Sequence, residues 1–277
     1  MSAFALASIF PLSAAWLART LLLSVRIGAV FLMTPLLGAA SVPVTVRVLI
    51  VLGLAAAMAS FGPVAGSSAP DAQIFTLDHP GAVLQAAATE LALGLTLAVG
   101  IHLAFAAVAV AGRVVDIQVG FGLGQVLNPQ TNEQLPVLTT LFNQAGVVVF
   151  FLVNGHHALM RGIAYSLERF PLGQPWPIEA GYAPIMKQVG GLLGLSFALM
   201  APVVFCIFMV ELSLGVLSRN LPQINMLTLG IPVKIIVGLI ALSLWFTGIG
   251  PAMNRVYASI YEGWTVMLAA DQPTEAR

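Results

Sequence analysis

Long apolar stretches alternate with short polar ones along almost the whole chain. A helix that crosses a bilayer needs about 20 predominantly apolar residues, and six stretches are long enough to do so. They cover residues 10–34, 44–63, 83–112, 136–163, 187–218 and 231–258. Proline, glycine or a charged residue bounds each stretch. The pattern therefore predicts an all-α integral membrane protein with about six long apolar helices.

The composition supports this prediction. Hydrophobic residues make up 59% of the 277 residues and charged residues only 8%, whereas soluble domains carry about 25% charged residues. The formal net charge is zero, which argues against a surface for binding nucleic acid. Lys and Arg are nearly balanced between alternate loops, so they leave the membrane orientation open. This weak bias suggests that neighbouring protein, rather than lipid alone, fixes the arrangement of the helices.

A polar segment rich in glycine, residues 119–136, interrupts the apolar pattern between the third and fourth predicted helices. Non-helical backbone beside membrane spans is tolerated only where protein or a water-filled cavity surrounds it. Gly120, Gly122 and Gly124 alternate along this glycine-rich loop, so its backbone can fold tightly or let another chain approach. If the protein guards a passage, this loop is the candidate gate. An ordinary re-entrant connection packed between helices is the alternative.

Five charged residues fall inside or at the edge of the apolar stretches: Arg19, Arg26, Glu90, Glu211 and Lys234. Each would cost about 2.5–3.5 kcal/mol at the centre of a bilayer on insertion scales. One interpretation is that these charges line a conduit or form bonds between subunits. The alternative is that they reach the membrane surface or pair within the fold.

The sequence predicts no metal site and no catalytic site. His102, His156 and His157 have no Cys, Asp or Glu beside them at ligand spacing. Neighbouring histidines on a helix point about 100° apart, so a structural or interfacial role is favoured. The single Cys206 lies in an apolar run and is expected to be a small buried hydrophobe. No H-E-x-x-H zinc motif and no G-x-S-x-G nucleophile elbow occurs, so we expect neither enzyme activity nor a cofactor.

Four segments, in order along the chain, resemble the FliR family, the flagellar type III export gate subunit whose injectisome counterparts form the SctT family. They are Thr34–Val48, Gly112–Pro136, Asn154–Gly173 and Val216–Gly238. Together with the six apolar stretches they extend the resemblance over nearly the whole chain. The second and fourth segments are the most specific. One departure is Asn128, where the family more often has Asp before the proline.

The resemblance implies that one copy of the chain joins several FliP-like and FliQ-like subunits around a pore for unfolded flagellar proteins. An FlhB-like protein would join from the cytoplasmic side. The location would be the bacterial inner membrane, as a multi-pass protein of the flagellar basal body. The chain would form a single FliR-like domain over 1–277. Within it, a FliP-like part would cover 1–186, a FliQ-like helical hairpin 187–265 and a tail 266–277.

The resemblance and the residue chemistry together predict four groups of site residues. Apolar side chains can close a pore by dewetting and still be displaced by a passing chain. Arg113 and Asp116 lie three apart at a helix end and are predicted to pair there, anchoring the loop. The predicted pore plug comprises Gly120, Phe121, Gly122, Leu123, Gly124, Val126, Leu127, Asn128 and Pro129. The cytoplasm-facing hairpin comprises Arg219, Asn220, Pro222, Gln223, Asn225, Pro232 and Lys234, and the inter-subunit or pore charges are Arg26, Arg47, Glu90 and Glu211.

Three other functions stay open at the level of sequence. A secondary transporter of a small solute would fit broken helices and buried charges, although the two halves show no convincing repeat of the kind such transporters have. An intramembrane enzyme lacks any recognisable nucleophile or metal set. A structural scaffold without a pore role is distinguished from a gate by measuring leakage in variants of the loop.

Overall fold

The chain forms helices throughout the part that the structure describes. A computed structural model describes residues 14–35, 42–61, 80–121, 136–174, 176, 179–220 and 226–269. Within these ranges there are eight α-helices and no β-strand, which confirms the predicted all-α class. They are α1 Ala14–Met33, α2 Val44–Phe61, α3 Pro80–Val119, α4 Val137–Leu152, α5 Gly155–Arg169, α6 Glu179–Asn220, α7 Met226–Gly248 and α8 Gly250–Ala269.

Five of these helices, α1, α2, α3, α6 and α7, are long and apolar enough to cross a membrane. A sixth span results if α4 and α5 are counted together as one broken span. The predicted span at 136–163 is helical but bent, because Asn154 adopts a left-handed conformation with φ of 57° and separates α4 from α5. Asparagine tolerates this conformation better than most residues.

The predicted sixth apolar stretch, 231–258, is also divided. Helix α7 ends at Gly248 and α8 begins at Gly250, with Ile249 between them. Two glycines and the following Pro251 weaken the helix at this point. Helix α8 then continues to Ala269 and buries Met267 and Leu268. It extends into the segment predicted as a tail, and residues 270–277 lie outside the described residues.

The chain divides into two compact units, each assembled from separate stretches of sequence. Unit 1 comprises residues 1–102, 154–188 and 260–277, and unit 2 comprises residues 103–153 and 189–259. The FliP-like part at 1–186 and the FliQ-like hairpin at 187–265 stay predictions. Each unit has its own buried apolar residues, as described below.

The core of unit 1 depends on close contacts at glycine. An added Cβ at Gly94 on α3 would lie 2.7 Å from the carbonyl oxygen of Arg26 and 2.8 Å from the Cβ of Ala29, both on α1. An added Cβ at Gly162 on α5 would lie 2.1 Å from the ring of Trp264 on α8. Trp264 is 3% exposed, and its indole N–H donates to the Leu97 carbonyl at 3.2 Å. Glycine thus lets α1 approach α3 and lets a large aromatic ring lie on α5.

An aromatic cluster forms the core of unit 2. The rings of Phe105, Phe150 and Tyr257 lie with centroids 5.3–5.8 Å apart, a separation typical of favourable tilted and edge-to-face pairs. The Tyr257 hydroxyl donates to the backbone carbonyl of Gly146. Cys206, on α6 of this unit, is exposed. Its predicted burial is wrong because it lies on an apolar helix face that the rest of the described chain leaves uncovered.

Candidate functional site

The structure describes the two ends of the glycine-rich loop. Of the predicted plug residues, Gly120 and Phe121 lie within the described part of the chain. Residues 122–135, and with them the other seven plug residues, lie outside it. The geometry of the site is therefore the geometry of the base from which the loop leaves α3 and enters α4.

The end of α3 is held by α7. Val119 is fully buried, and an added Cβ at Gly238 would lie 2.7 Å from a methyl group of Val119. Gly120 follows with φ of 104°, and its N–H donates to the Ile117 carbonyl at 3.2 Å. A glycine with positive φ is the usual way to end a helix and turn the chain away from its axis. The loop therefore leaves a helix end that is fixed by packing.

The beginning of α4 is held by Asp116 of α3. The Asp116 carboxylate accepts hydrogen bonds from the Leu138 backbone N–H at 3.3 Å and the Thr139 hydroxyl at 3.4 Å. The predicted pair of Arg113 with Asp116 is thus wrong for the geometry described. The first N–H groups of a helix lack partners inside the helix, and the Asp116 carboxylate accepts from one of them. Asp116 still lies at the base of the loop, and Arg113 takes no part in that contact.

A cavity of about 420 Å³ lies beside the base of the loop. Its walls come from the end of α3, from α6 and from α7, and it contains the ion pair of Lys234 with Glu211. The two side chains are 27% and 41% exposed, respectively. The predicted role of Glu211 as an inter-subunit or pore charge stays a prediction, since its exposure leaves it accessible. The lining residues are Ile117, Gln118, Gly120, Glu211, Leu214, Gly215, Ser218, Gly230, Ile231 and Lys234.

The predicted cytoplasm-facing hairpin is described only on its helical arms. Arg219 and Asn220 are exposed at the end of α6, and the Asn220 amide donates to the Val216 carbonyl at 2.9 Å. Pro232 lies within α7, where it has no N–H to donate to the helix. Pro222, Gln223 and Asn225 lie outside the described residues.

Arg26 and Glu90 are buried in unit 1, and their predicted role as inter-subunit or pore charges is wrong. Each side chain is 1% exposed. Arg26 Nε donates to Glu90 Oε2 at 2.6 Å, and Arg26 Nη2 donates to Glu90 Oε1 at 3.0 Å. A buried charge requires a partner with good geometry, and each supplies it to the other. The alternative raised from the sequence, pairing within the fold, holds for both residues.

Three further bonds complete this buried network. Arg26 also donates to the Ser166 hydroxyl at 3.2 Å and to the Phe170 carbonyl at 2.9 Å. The Gly173 N–H donates to Glu90 Oε1 at 3.1 Å. Gly173 has φ of 76°, a conformation that suits glycine. The pair thereby fixes the turn after α5 to both α1 and α3.

Arg47 forms a local bond at the start of α2. Its Nε donates to the Val42 carbonyl at 2.9 Å, across the turn that contains Pro43. The side chain is half-buried. Its predicted role between subunits or in the pore stays a prediction.

Within the described residues, no group of three or more His, Cys, Asp and Glu side chains lies close enough to hold a metal ion. The rings of His156 and His157 lie 4.2 Å apart with a tilt of 49°. Tyr261 of α8 donates its hydroxyl to the Gly155 carbonyl at 2.8 Å. Burial raises the pKa of the Tyr261 hydroxyl to about 12, so it stays a hydrogen-bond donor at neutral pH.

Two residues of the site were not anticipated from the sequence. Thr139 completes the contact of Asp116, and Gly238 admits the buried end of α3. A glycine inside an apolar helix indicates close packing, but the sequence does not show which helix packs against it. Asp116 was singled out, but its partners lie 22 and 23 residues away, beyond the range of helical spacing.

Comparison with known proteins adds an independent finding. The family described as bacterial export proteins, family 1, matches residues 17–260 of this chain. The flagellar biosynthetic protein FliR of Bacillus subtilis (strain 168) is 30% identical over 258 residues, which are 90% of this chain and 94% of that protein. FliR of Escherichia coli (strain K12) is 26% identical over 237 residues, or 85% and 87% of the two chains. The Yop proteins translocation protein T of Yersinia pestis is 27% identical over 147 residues, or 52% and 56%.

Proposed function

This chain belongs to the bacterial export proteins, family 1, the family of the FliR proteins, and we propose that it forms the FliR-like subunit of a flagellar type III secretion export gate. Membership makes it a multi-pass membrane component of the flagellar or related type III export apparatus. Such a component is a structural part of the apparatus rather than an enzyme. The match of the family to residues 17–260 is the observation that carries the proposal.

The chain assembles with FliP-like and FliQ-like subunits around a pore in the bacterial inner membrane. The apolar surface of the helices supports this proposal. Only 17% of the span in α2, 22% of that in α6 and 17% of that in α7 are buried within the chain. Lipid or other subunits must cover the rest, since large contiguous apolar surfaces usually mark an interface. The FliP-like part at 1–186 and the FliQ-like hairpin at 187–265 would supply these contacts.

The glycine-rich loop plugs the closed pore. Its base supports this role, because α7 fixes Val119 and Asp116 contacts the first turn of α4. Phe121, Leu123, Val126 and Leu127 would provide the apolar closure. Such a plug excludes water and ions yet yields to a passing polypeptide.

Leakage through assembled complexes tests the plug. We expect deletion of Gly120–Gly124 to raise ion conductance in proteoliposomes that contain this chain with its FliP-like and FliQ-like partners. A length-matched variant, with Phe121→Ser and Leu123→Ser, separates loss of apolar closure from shortening of the loop. Native mass of each complex confirms equal assembly. Unchanged conductance in both variants would reject the plug and favour a scaffold without a pore role.

The turn between Arg219 and Lys234 faces the cytoplasm and contacts an FlhB-like protein. Arg219 and Asn220 are exposed at the end of α6, which supports such a contact. Photo-crosslinking probes at Asn220 and Gln223 test the proposal in cells that export flagellar proteins. A probe at Leu193, which is exposed in the N-terminal half of α6, serves as the control. Crosslinks from neither Asn220 nor Gln223 to the FlhB-like protein would count against it.

A further inference from the structure

Asp116 connects the two ends of the glycine-rich loop. Helix α3 ends at Val119 and α4 begins at Val137. The carboxylate, one turn before the end of α3, lies 3.3 Å from the Leu138 N and 3.4 Å from the Thr139 Oγ1 in the first turn of α4. Asp116 is 2% exposed, so water competes poorly for these donors.

Helix α4 requires a capping group from elsewhere in the fold. Its N-cap residue is Pro136, which makes no capping hydrogen bond with its side chain, and its first turn contains no acidic residue. The N-terminal N–H groups of a helix lack internal partners and carry a partial positive charge. A carboxylate from a neighbouring helix satisfies both requirements. Asp116 therefore does for α4 what an N-terminal Asp or Ser does in other helices.

A second contact, one turn earlier on the same face of α3, also holds the start of α4 against α3. We call these two contacts the clamp. An added Cβ at Gly112 would lie 2.8 Å from the Phe142 Cβ and 3.0 Å from the Thr139 Cα. Residues four apart share a helix face, so Gly112 and Asp116 hold α4 at two successive turns. Phe142 is 1% exposed, which excludes solvent from this contact.

We infer that Asp116 is a positioning residue that fixes both ends of the glycine-rich loop to each other. This inference rests on the proposed function of the loop as a plug. If the loop plugs the pore, Asp116 determines how firmly it does so. It does so through α4, without contact to the exported chain. Without the clamp, the start of α4 frays and the loop lengthens by the residues that it releases.

Asp116→Ala tests this role, because alanine has no side-chain acceptor for the Leu138 N–H or the Thr139 hydroxyl, whereas asparagine would keep one. Loss of a helix cap shifts a local opening equilibrium by roughly 2- to 30-fold. We expect hydrogen exchange of the peptide containing Leu138 to rise by a factor in this range, and ion leakage of assembled complexes to rise with it. Thr139→Val should give a smaller change of the same sign. Thr140→Val is the matched control, because the Thr140 hydroxyl donates only to the Pro136 carbonyl of its own turn.

Combining Asp116→Ala with deletion of Gly120–Gly124 separates positioning from a general structural defect. If Asp116 acts through the loop, the double variant leaks no more than the deletion alone. Additive leakage, or wild-type leakage of Asp116→Ala beside a leaking deletion, overturns the inference and leaves the plug intact. If the deletion itself does not leak, the proposed plug fails and the positioning role fails with it, while exchange at Leu138 reports separately on the cap. Should Asp116→Ala not assemble, Thr139→Val decides by the same comparison.

Discussion

Replacing Glu90 with glutamine should destabilise unit 1 far more than a change of one atom type suggests. The substitution preserves the shape of the side chain and removes its charge. Arg26, 1% exposed, then keeps a full positive charge with no anionic partner in the contacts described. Removing one partner of a buried ion pair typically costs about 3–5 kcal/mol, because the remaining charge is not compensated.

The contacts place Glu90→Gln within this range. Glu90 accepts two bonds from Arg26, at 2.6 and 3.0 Å, and one from the Gly173 N–H at 3.1 Å. A glutamine side chain has one accepting oxygen and one NH2 group. At whichever carboxylate oxygen position the NH2 group lies, it would face an N–H of Arg26. The two other partners of Arg26, the Ser166 hydroxyl and the Phe170 carbonyl, are neutral. They reduce the loss but cannot replace a carboxylate.

Reversible unfolding of the purified chain in mixed detergent micelles measures the difference in free energy. Glu168→Gln on the exposed face of α5 is the matched control, and surface changes of this kind usually stay within about 0.5 kcal/mol. The double replacement Arg26→Met with Glu90→Leu removes both charges and should recover part of the loss. The recovery is incomplete because the Phe170 carbonyl and the Gly173 N–H lose their partners. A loss below about 1 kcal/mol for Glu90→Gln would refute this account.

Three further predictions concern unit 1. Gly162→Ala should destabilise the protein by about 1–3 kcal/mol, because its Cβ would lie 2.1 Å from the Trp264 ring; thermal unfolding measures it, and Gly190→Ala, whose Cβ has open space, is the control. Gly173→Ala should cost about 1–2 kcal/mol, since φ of 76° is strained for alanine; an unchanged unfolding temperature would contradict this. Burial raises the pKa of the Tyr261 hydroxyl from 10.0 to about 12. The contribution of Tyr261 to the free energy of unfolding is therefore full below pH 10.0 and is lost as the pH rises through about 12. Tyr261→Phe should abolish this part of the pH dependence of the free energy of unfolding.

The length of the apolar stretches predicted the helices well, but not their interruptions. All six stretches contain helix, and α3 and α6 run beyond the predicted ends, to Pro80–Val119 and Glu179–Asn220. The break at Asn154 was missed because apolar length dominated the prediction, although Asn followed by Gly155 is a common signal for a left-handed turn. The break at Ile249 was missed for the same reason. Residues that favour a helix break are weak predictors within a long apolar run, and the breaks were identified only from the backbone conformation.

The position of the candidate site along the chain stays a prediction, and the contacts around it were not anticipated from the sequence. Spacing suggested that Arg113 pairs with Asp116, yet the carboxylate contacts α4, 22 residues further along the chain. Arg26 and Glu90 lie 64 residues apart, and no helical periodicity relates them. Sequence spacing reports neighbours on one helix. Which helices lie side by side depends on packing at glycines such as Gly112 and Gly238, and the sequence does not name the partners of a glycine.

The charged pairs described above are of two physical kinds, and only one of them can act in a gate. Arg26 and Glu90 are enclosed and make a fixed network. Lys234 and Glu211 are 27% and 41% exposed beside the cavity at the base of the loop, so water or a passing chain can compete for either partner. An exposed pair contributes about 0–1 kcal/mol to stability.

Exchanging these two charges separates stability from transport. Glu211→Lys combined with Lys234→Glu keeps an ion pair between α6 and α7 but reverses the field in the cavity. We expect the exchanged protein to unfold within about 1 kcal/mol of wild type and its assembled complex to change its selectivity between cations and anions when the loop is deleted. Arg26→Glu with Glu90→Arg is the contrasting variant, and we expect it not to fold, since the Ser166 hydroxyl, the Phe170 carbonyl and the Gly173 N–H fix the polarity of that network. Wild-type ion selectivity of the variant with exchanged charges would show that Glu211 and Lys234 do not face the ion pathway.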